Sequence, residues 1–187
     1  MTTYRFDVER YEKLFHAGIL TNEDHIELLD GDLIVQSPIG SRHANVVNRL
    51  TELLAKNAGD RFFVSPQNPF RLDAHSMPQP DLALVHRRVL AEERYAFADD
   101  IFLAIEVADS SLRYDRTVKR GAYARNGIAE YWIFDLTRDL VLVHQQADPD
   151  AAAYTVCREV PAHDVLAPVA FPDLFLPLPA LFGQARR

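Results

Sequence analysis

The chain has 187 residues, enough for one domain with a real core, and 48% hydrophobic against 25% charged residues excludes a disordered polymer. A single cysteine, Cys157, excludes an internal disulfide and agrees with a reducing cytoplasm. No apolar run approaches the roughly 20 residues of a membrane span, and the net charge of −7 leaves no global basic footprint for nucleic acid.

Asp7 is placed to cap a helix to about Ala17, with Val8, Tyr11, Leu14 and Phe15 at helical spacing and Gly18 as its stop. The N-terminus, Met1 to Asp7, lacks the basic-then-apolar order of a secretion signal, so a soluble cytoplasmic protein is expected. Two apolar runs, His25–Leu29 and Asp32–Val35, flank Asp30-Gly31, which signals a two-residue hairpin. Ser37-Pro38-Ile39-Gly40 breaks the second strand. Ser41 is then placed to cap a helix to about Ala58, with Val46, Val47, Leu50, Leu53 and Leu54 on one face and Gly59 at its end.

The pattern next turns to strands: Phe62–Val64, Pro69–Leu72 and Asp81–Val85. The most apolar run, Ile101–Val107, reads as a central strand buried on both faces. A helix from about Asp115 to Arg125, closed by Asn126-Gly127, leads to a strand at Tyr131–Asp135. Strand, helix and strand at this spacing predict a right-handed crossover between parallel strands. Leu140–His144 and Tyr154–Cys157 form a closing hairpin, and the prolines at 161, 168, 172, 177 and 179 mark a tail wrapping the surface with short strands. With no repeat and no linker, residues 1–187 are expected to form a single domain.

Glu106 starts the functional reading. It lies near the C-terminal end of the most apolar strand, where an ionised carboxylate is costly unless it is paired or binds a metal. Strand ends of this kind are also where α/β sheets build sites. Read structurally, Glu106 would pair with Lys119 or Arg120. Asp81 opens a short strand directly after Pro80. If that strand pairs beside Ile101–Val107, two carboxylates converge, and they repel unless a cation lies between them. Hard oxygen ligands suit Mg²⁺ or Mn²⁺. A lone Pro-Asp, by contrast, is commonly just a turn or strand start. Asp115, Lys119 and Tyr123 fall at i, i+4 and i+8, sharing one helix face. Lys119 can point toward the carboxylates or make a surface pair with Asp115. Tyr123 is expected to pack on the sheet, and Asp115 to cap the helix or tie down Lys119. Between Arg113 and Arg125 lie five basic residues and one acidic one, either a solvated face or a strip that receives phosphates. The remaining histidines (His16, His25, His75, His86, His144, His163) lack zinc-ligand spacing. Neither a phosphate loop nor a Gly-x-Ser-x-Gly elbow is present.

In order, Pro80-Asp81, Glu106-Val107-Ala108-Asp109-Ser110-Ser111, Tyr114-Asp115-Arg116, Lys119, Tyr123-Ala124-Arg125, Gly127-Ile128 and Glu130-Tyr131-Trp132 resemble the Uma2 family (DUF820). That family is similar in turn to the PD-(D/E)XK restriction-endonuclease-like superfamily. The resemblance extends upstream through Glu27–Gly31, Ser37-Pro38 and His43, and downstream to Phe171-Pro172-Asp173. It implies an α/β (α+β) fold, a mixed central sheet flanked by helices, with the N-terminal helix and hairpin as an extension. It also implies a metal-dependent nuclease centre in which Asp81, Glu106 and the backbone carbonyl of Val107 hold Mg²⁺ or Mn²⁺. The sequence departs from the superfamily pattern in having Val107-Ala108 after the glutamate, with no lysine two residues on; Lys119 then resembles the relocated lysine. Glu27 and His43 join the site by resemblance alone. By its own position Glu27 faces solvent on a hairpin, and His43 caps or covers a helix.

The expected function is therefore a Mg²⁺-dependent endodeoxyribonuclease acting on nucleic acid, DNA first, with a homodimer as the simple way to cut both strands. The alternative is a catalytically inactive binding or scaffold protein that kept the fold, which the acidic net charge favours.

Overall fold

A computed structural model describes residues 3–183. Helix α1 (Val8–His16) starts at Asp7, whose side chain accepts from the Arg10 N–H at 2.8 Å. Strands β1 (Ile26–Leu29) and β2 (Asp32–Val35) pair antiparallel around Asp30 and Gly31, with φ of 51° and 83°. Those positive angles are what a twist-matched two-residue hairpin requires. Val8 and Tyr11 pack with Leu28 and Met77, tying helix to hairpin. Helix α2 (Ser41–Ala58) buries Val46, Val47, Leu50 and Leu54. Gly40 rather than Ser41 holds its N-cap position, with no side-chain cap, and Ser41 is the first helical residue.

Strand β3 (Phe63–Pro66) and strand β4 (Leu82–Val85) are followed by the short helix α3 (Arg88–Glu92) and by β5 (Ile101–Ala108). The connection onward is helical throughout: α4 (Leu112–Tyr114), a π-helical turn over Asp115–Lys119, then α5 (Arg120–Arg125). It leads to β6 (Glu130–Asp135), β7 (Leu140–Asp148) and β8 (Ala153–Pro161). These strands form one six-stranded sheet in the order β3-β4-β5-β6-β7-β8. Only β5 and β6 run parallel, as a helical crossover requires. The fold is thus the mixed α/β sheet flanked by helices that the sequence implied.

Alternation along β5 serves both faces. Leu103, Ile105 and Val107 meet α2 on one side, while Ala104 and Ala108 meet Ala122 and Tyr123 of α5 on the other. Helix α5 itself backs onto β7 and β8, and Tyr123 reaches Glu106 through the length of its side chain.

Two expectations change. Pro69–Leu72 forms no strand: the N–H groups of Phe70 and Leu72 bond to Pro78 and Ser76, and that of Arg71 to Ala96, two separate segments instead of one ladder. The tail wraps as foreseen, with β9 (Val165–Leu166) pairing β10 (Leu176–Pro177), but it also forms helix α6 (Leu178–Phe182). Pro179 sits in its first turn, where the missing N–H costs nothing.

Candidate functional site

Strand β4 pairs antiparallel with β5, Leu82 opposite Ile105. Asp81, one residue before β4, therefore lies beside Glu106 and Val107. Its Oδ2 accepts the Val107 N–H at 2.8 Å and lies 3.0 Å from His43 Nε2. His43 comes from the first turn of α2, and its Nδ1 is sealed without a partner. Val107 thus meets Asp81 through its N–H.

Behind this edge lies a second, drier cluster. Glu106 is 4% exposed and Lys119 4%, with Lys119 Nζ 3.0 Å from Glu106 Oε1. The same ammonium is 3.1 Å from Glu27 Oε2. Glu27 does not face solvent, as its hairpin position alone had allowed. It is 1% exposed, because the β1–β2 hairpin folds over this end of the sheet, and its Oε2 also accepts the Gln79 N–H at 2.9 Å. Tyr123 both packs, stacking on Phe70, and acts, donating its hydroxyl to Glu106 Oε1 at 3.1 Å.

The π turn separates Asp115 from Lys119. No ion pair joins them among the described residues; Asp115 Oδ2 instead accepts the Ser111 hydroxyl at 2.6 Å. A π turn inside an α-helix is a recurring feature of functional sites; here Lys119, at its end, meets Glu106, while Asp115, at its start, turns back to Ser111. Sequence reading missed Ser111, Gln79 and the hydroxyl role of Tyr123. Only Tyr123 carried a signal, its spacing of four from Lys119.

Burial pushes Glu106 well above the usual carboxylate range, with Lys119 opposing and Asp115, Asp81 and Glu27 adding to the rise. Burial alone would lower Lys119, but Glu106 and Glu27 overcome it and hold the ammonium firmly protonated. Asp115 is pushed up to about 6, chiefly by burial. The basic strip is thinner than its sequence: Arg113, Arg116 and Arg125 are exposed, Arg120 is half-buried, and Arg125 is tied to Asp30.

The profile of the Uma2 family, described as "Putative restriction endonuclease", matches residues 8–179. The chain belongs to the Uma2 family. No curated protein matches it. Among solved structures, a chain described as "a putative nuclease belonging to DUF820 from Anabaena variabilis" superposes with a TM-score of 0.72 at 14% identity. The match covers 95% of this chain and 97% of that one. At that identity the likeness establishes the fold.

In this Uma2 chain the donor set can be tested against a divalent cation. No three His, Cys, Asp or Glu side chains close on one point among the described residues. An all-protein cage of the zinc or calcium kind is therefore not built. What is present is Asp81 Oδ1 and Glu106 Oε2, neither hydrogen-bonded within the protein and neither sealed. Charge points the same way. Asp81, Glu106, Glu27 and Asp115 bring four carboxyls to this end of the sheet, against Lys119 and the His43 ring. A surplus of negative charge with two open oxygens suits Mg²⁺ or Mn²⁺, which retain several waters of their own. No helix of the described residues is long and apolar enough to cross a membrane.

Proposed function

We propose that this chain is a Mg²⁺- or Mn²⁺-dependent endonuclease that hydrolyses phosphodiester bonds, with DNA as its substrate. The observation that carries the reading is the surplus of buried carboxylate around a single lysine where β4 and β5 meet. Asp81 and Glu106 would hold the ion, with the Val107 carbonyl as a third ligand. Such an ion supplies an acidified water and a Lewis acid for the scissile phosphate. His43 holds Asp81 in place through Nε2. Lys119, locked as an ammonium between Glu106 and Glu27, does not abstract a proton; it orients Glu106 and offsets charge that builds on the phosphate. Glu27 fixes the lysine in turn. Exposed Arg113 and Arg116 would take backbone phosphates, and a homodimer would bring two such centres to a duplex.

Plasmid nicking with Mg²⁺ or Mn²⁺ tests the reading. Asp81→Ala and Glu106→Ala should each lower the rate by about 100-fold or more, as loss of a principal electrostatic group does. Nicking that survives both substitutions, or none by the wild type on any nucleic acid, returns the chain to the scaffold reading.

A further inference from the structure

Phosphodiester hydrolysis needs an acceptor for the proton of the attacking water, and most of the groups in this site are already committed. Lys119 is clamped between two carboxylates. Tyr123 donates to Glu106, and burial holds its proton on. The Tyr114 hydroxyl is sealed and likewise raised by burial. His43 spends Nε2 on Asp81, and its Nδ1 is closed off from water. Glu27 carries Lys119, Gln79 and Gln36 on a single oxygen.

Asp115 differs in being free of any ion pair among the described residues. It is 2% exposed, and its one hydrogen-bond donor, Ser111, occupies Oδ2. Oδ1 makes no hydrogen bond within the protein, yet it is not sealed. The residue also sits close to the centre: it opens the π turn that ends on Lys119, whose ammonium lies 3.0 Å from Glu106.

We propose that Asp115, anchored through Oδ2 by Ser111 and open at Oδ1, is the general base that deprotonates the attacking water. This rests on the phosphodiesterase reading above. One O–H bond of the water breaks and its proton passes to Asp115 Oδ1, while the water oxygen forms the new bond to phosphorus. The bond from phosphorus to the leaving sugar oxygen breaks, and that oxygen takes a proton from bulk water. Several groups face Asp115: Lys119 and Tyr114 from its own helical stretch, Glu106 from β5, Asp81 before β4, Glu27 from the hairpin, and Tyr131, which donates to the Asp115 carbonyl. Burial dominates, so Asp115 titrates at about 6; it is ionised at neutral pH yet basic enough to accept a proton.

Two measurements on the metal-free and Mg²⁺-loaded protein test this. Carbon-13 NMR of the metal-free protein should show the Asp115 carboxyl titrating near 6, and higher in Ser111→Ala, which lacks the hydroxyl that favours the ionised form. In plasmid nicking with Mg²⁺, whose charge draws the Asp115 carboxyl below its metal-free value, the acid limb of the rate should move to higher pH in Ser111→Ala than in the wild type. Asp115→Asn should lose about 100-fold or more of the rate while keeping the wild-type thermal shift with Mg²⁺. A carboxyl titrating near 4, an acid limb unmoved in Ser111→Ala, or full activity in Asp115→Asn overturns the assignment and leaves the nuclease reading standing. A wild type that nicks nothing overturns both.

Discussion

Lys119 Nζ lies 3.0 Å from Glu106 and 3.1 Å from Glu27, so the two ends of this cluster respond oppositely to substitution. Glu106 is raised well above 4.5 in the folded chain. The stability it contributes is therefore full below that value and is lost as pH rises through its folded-state titration. In the metal-free protein at pH 8, Glu106→Gln removes an acid whose ionised form burial disfavours yet keeps an acceptor for Tyr123, and Lys119 still has Glu27. Urea denaturation should show a gain of more than about 1 kcal/mol, and the rise in Tm with Mg²⁺ should vanish. Lys119→Met does the reverse. It leaves two buried carboxylates without their counter-charge and should cost about 3–5 kcal/mol. A loss of stability in Glu106→Gln would mark the Glu106–Lys119 contact as a net stabilising ion pair and remove the need for a bound cation.

Glu130 shows how one strand residue anchors an element far along the chain. From β6 it accepts Trp132 Nε1 at 2.8 Å and Gln145 Nε2 at 2.7 Å on one oxygen, and the Val169 N–H at 2.7 Å on the other. Glu130→Ala orphans one buried and two part-buried donors and should cost about 2 kcal/mol. Hydrogen exchange should quicken across residues 165–176 while the β5–β6 amides stay protected; uniform quickening would mean the tail is not a separate unit. Elements set by local chemistry were legible in the sequence, among them the Asp30-Gly31 hairpin, the apolar β5, and Asp81 and Glu106 at adjoining strand ends. Features set by tertiary contact were not. Glu27 looks solvent-facing until its hairpin closes over the sheet end. The i, i+4, i+8 spacing of Asp115, Lys119 and Tyr123 assumed an unbroken α-helix; a π turn spans Asp115–Lys119 instead, and Asp115 meets Ser111 one turn back. Helix α6 hid behind prolines that normally end helices but are tolerated in a first turn.

Over the whole molecule, a net charge of −7 opposes nucleic acid, and the exposed arginines of the 113–125 stretch must act locally against it. The buried charges leave a clearer global signature, in stability against pH. Burial lowers His144 from 6.5 to about 4, with Arg120 and Arg116 adding to the effect. A histidine held neutral contributes stability that is full above 6.5 and lost as pH falls toward 4. Asp115, raised from 3.8 to about 6, does the opposite: its contribution is full below 3.8 and lost as pH rises through 6. Each amounts to about 3 kcal/mol, with opposite sign over nearly the same window. In metal-free Glu106→Gln, which lacks the other carboxyl of this cluster that burial raises, the two should nearly cancel, so stability stays level between pH 4 and 6.5. Adding Asp115→Asn unmasks the histidine, and stability should then climb by about 3 kcal/mol as pH rises across that window. Adding His144→Phe instead unmasks the aspartate, and stability should fall by a similar amount over the same range. The slopes decide the matter whatever each substitution does to absolute stability. Parallel slopes in the two double variants would mean that neither group is held in its unfavoured state by the fold.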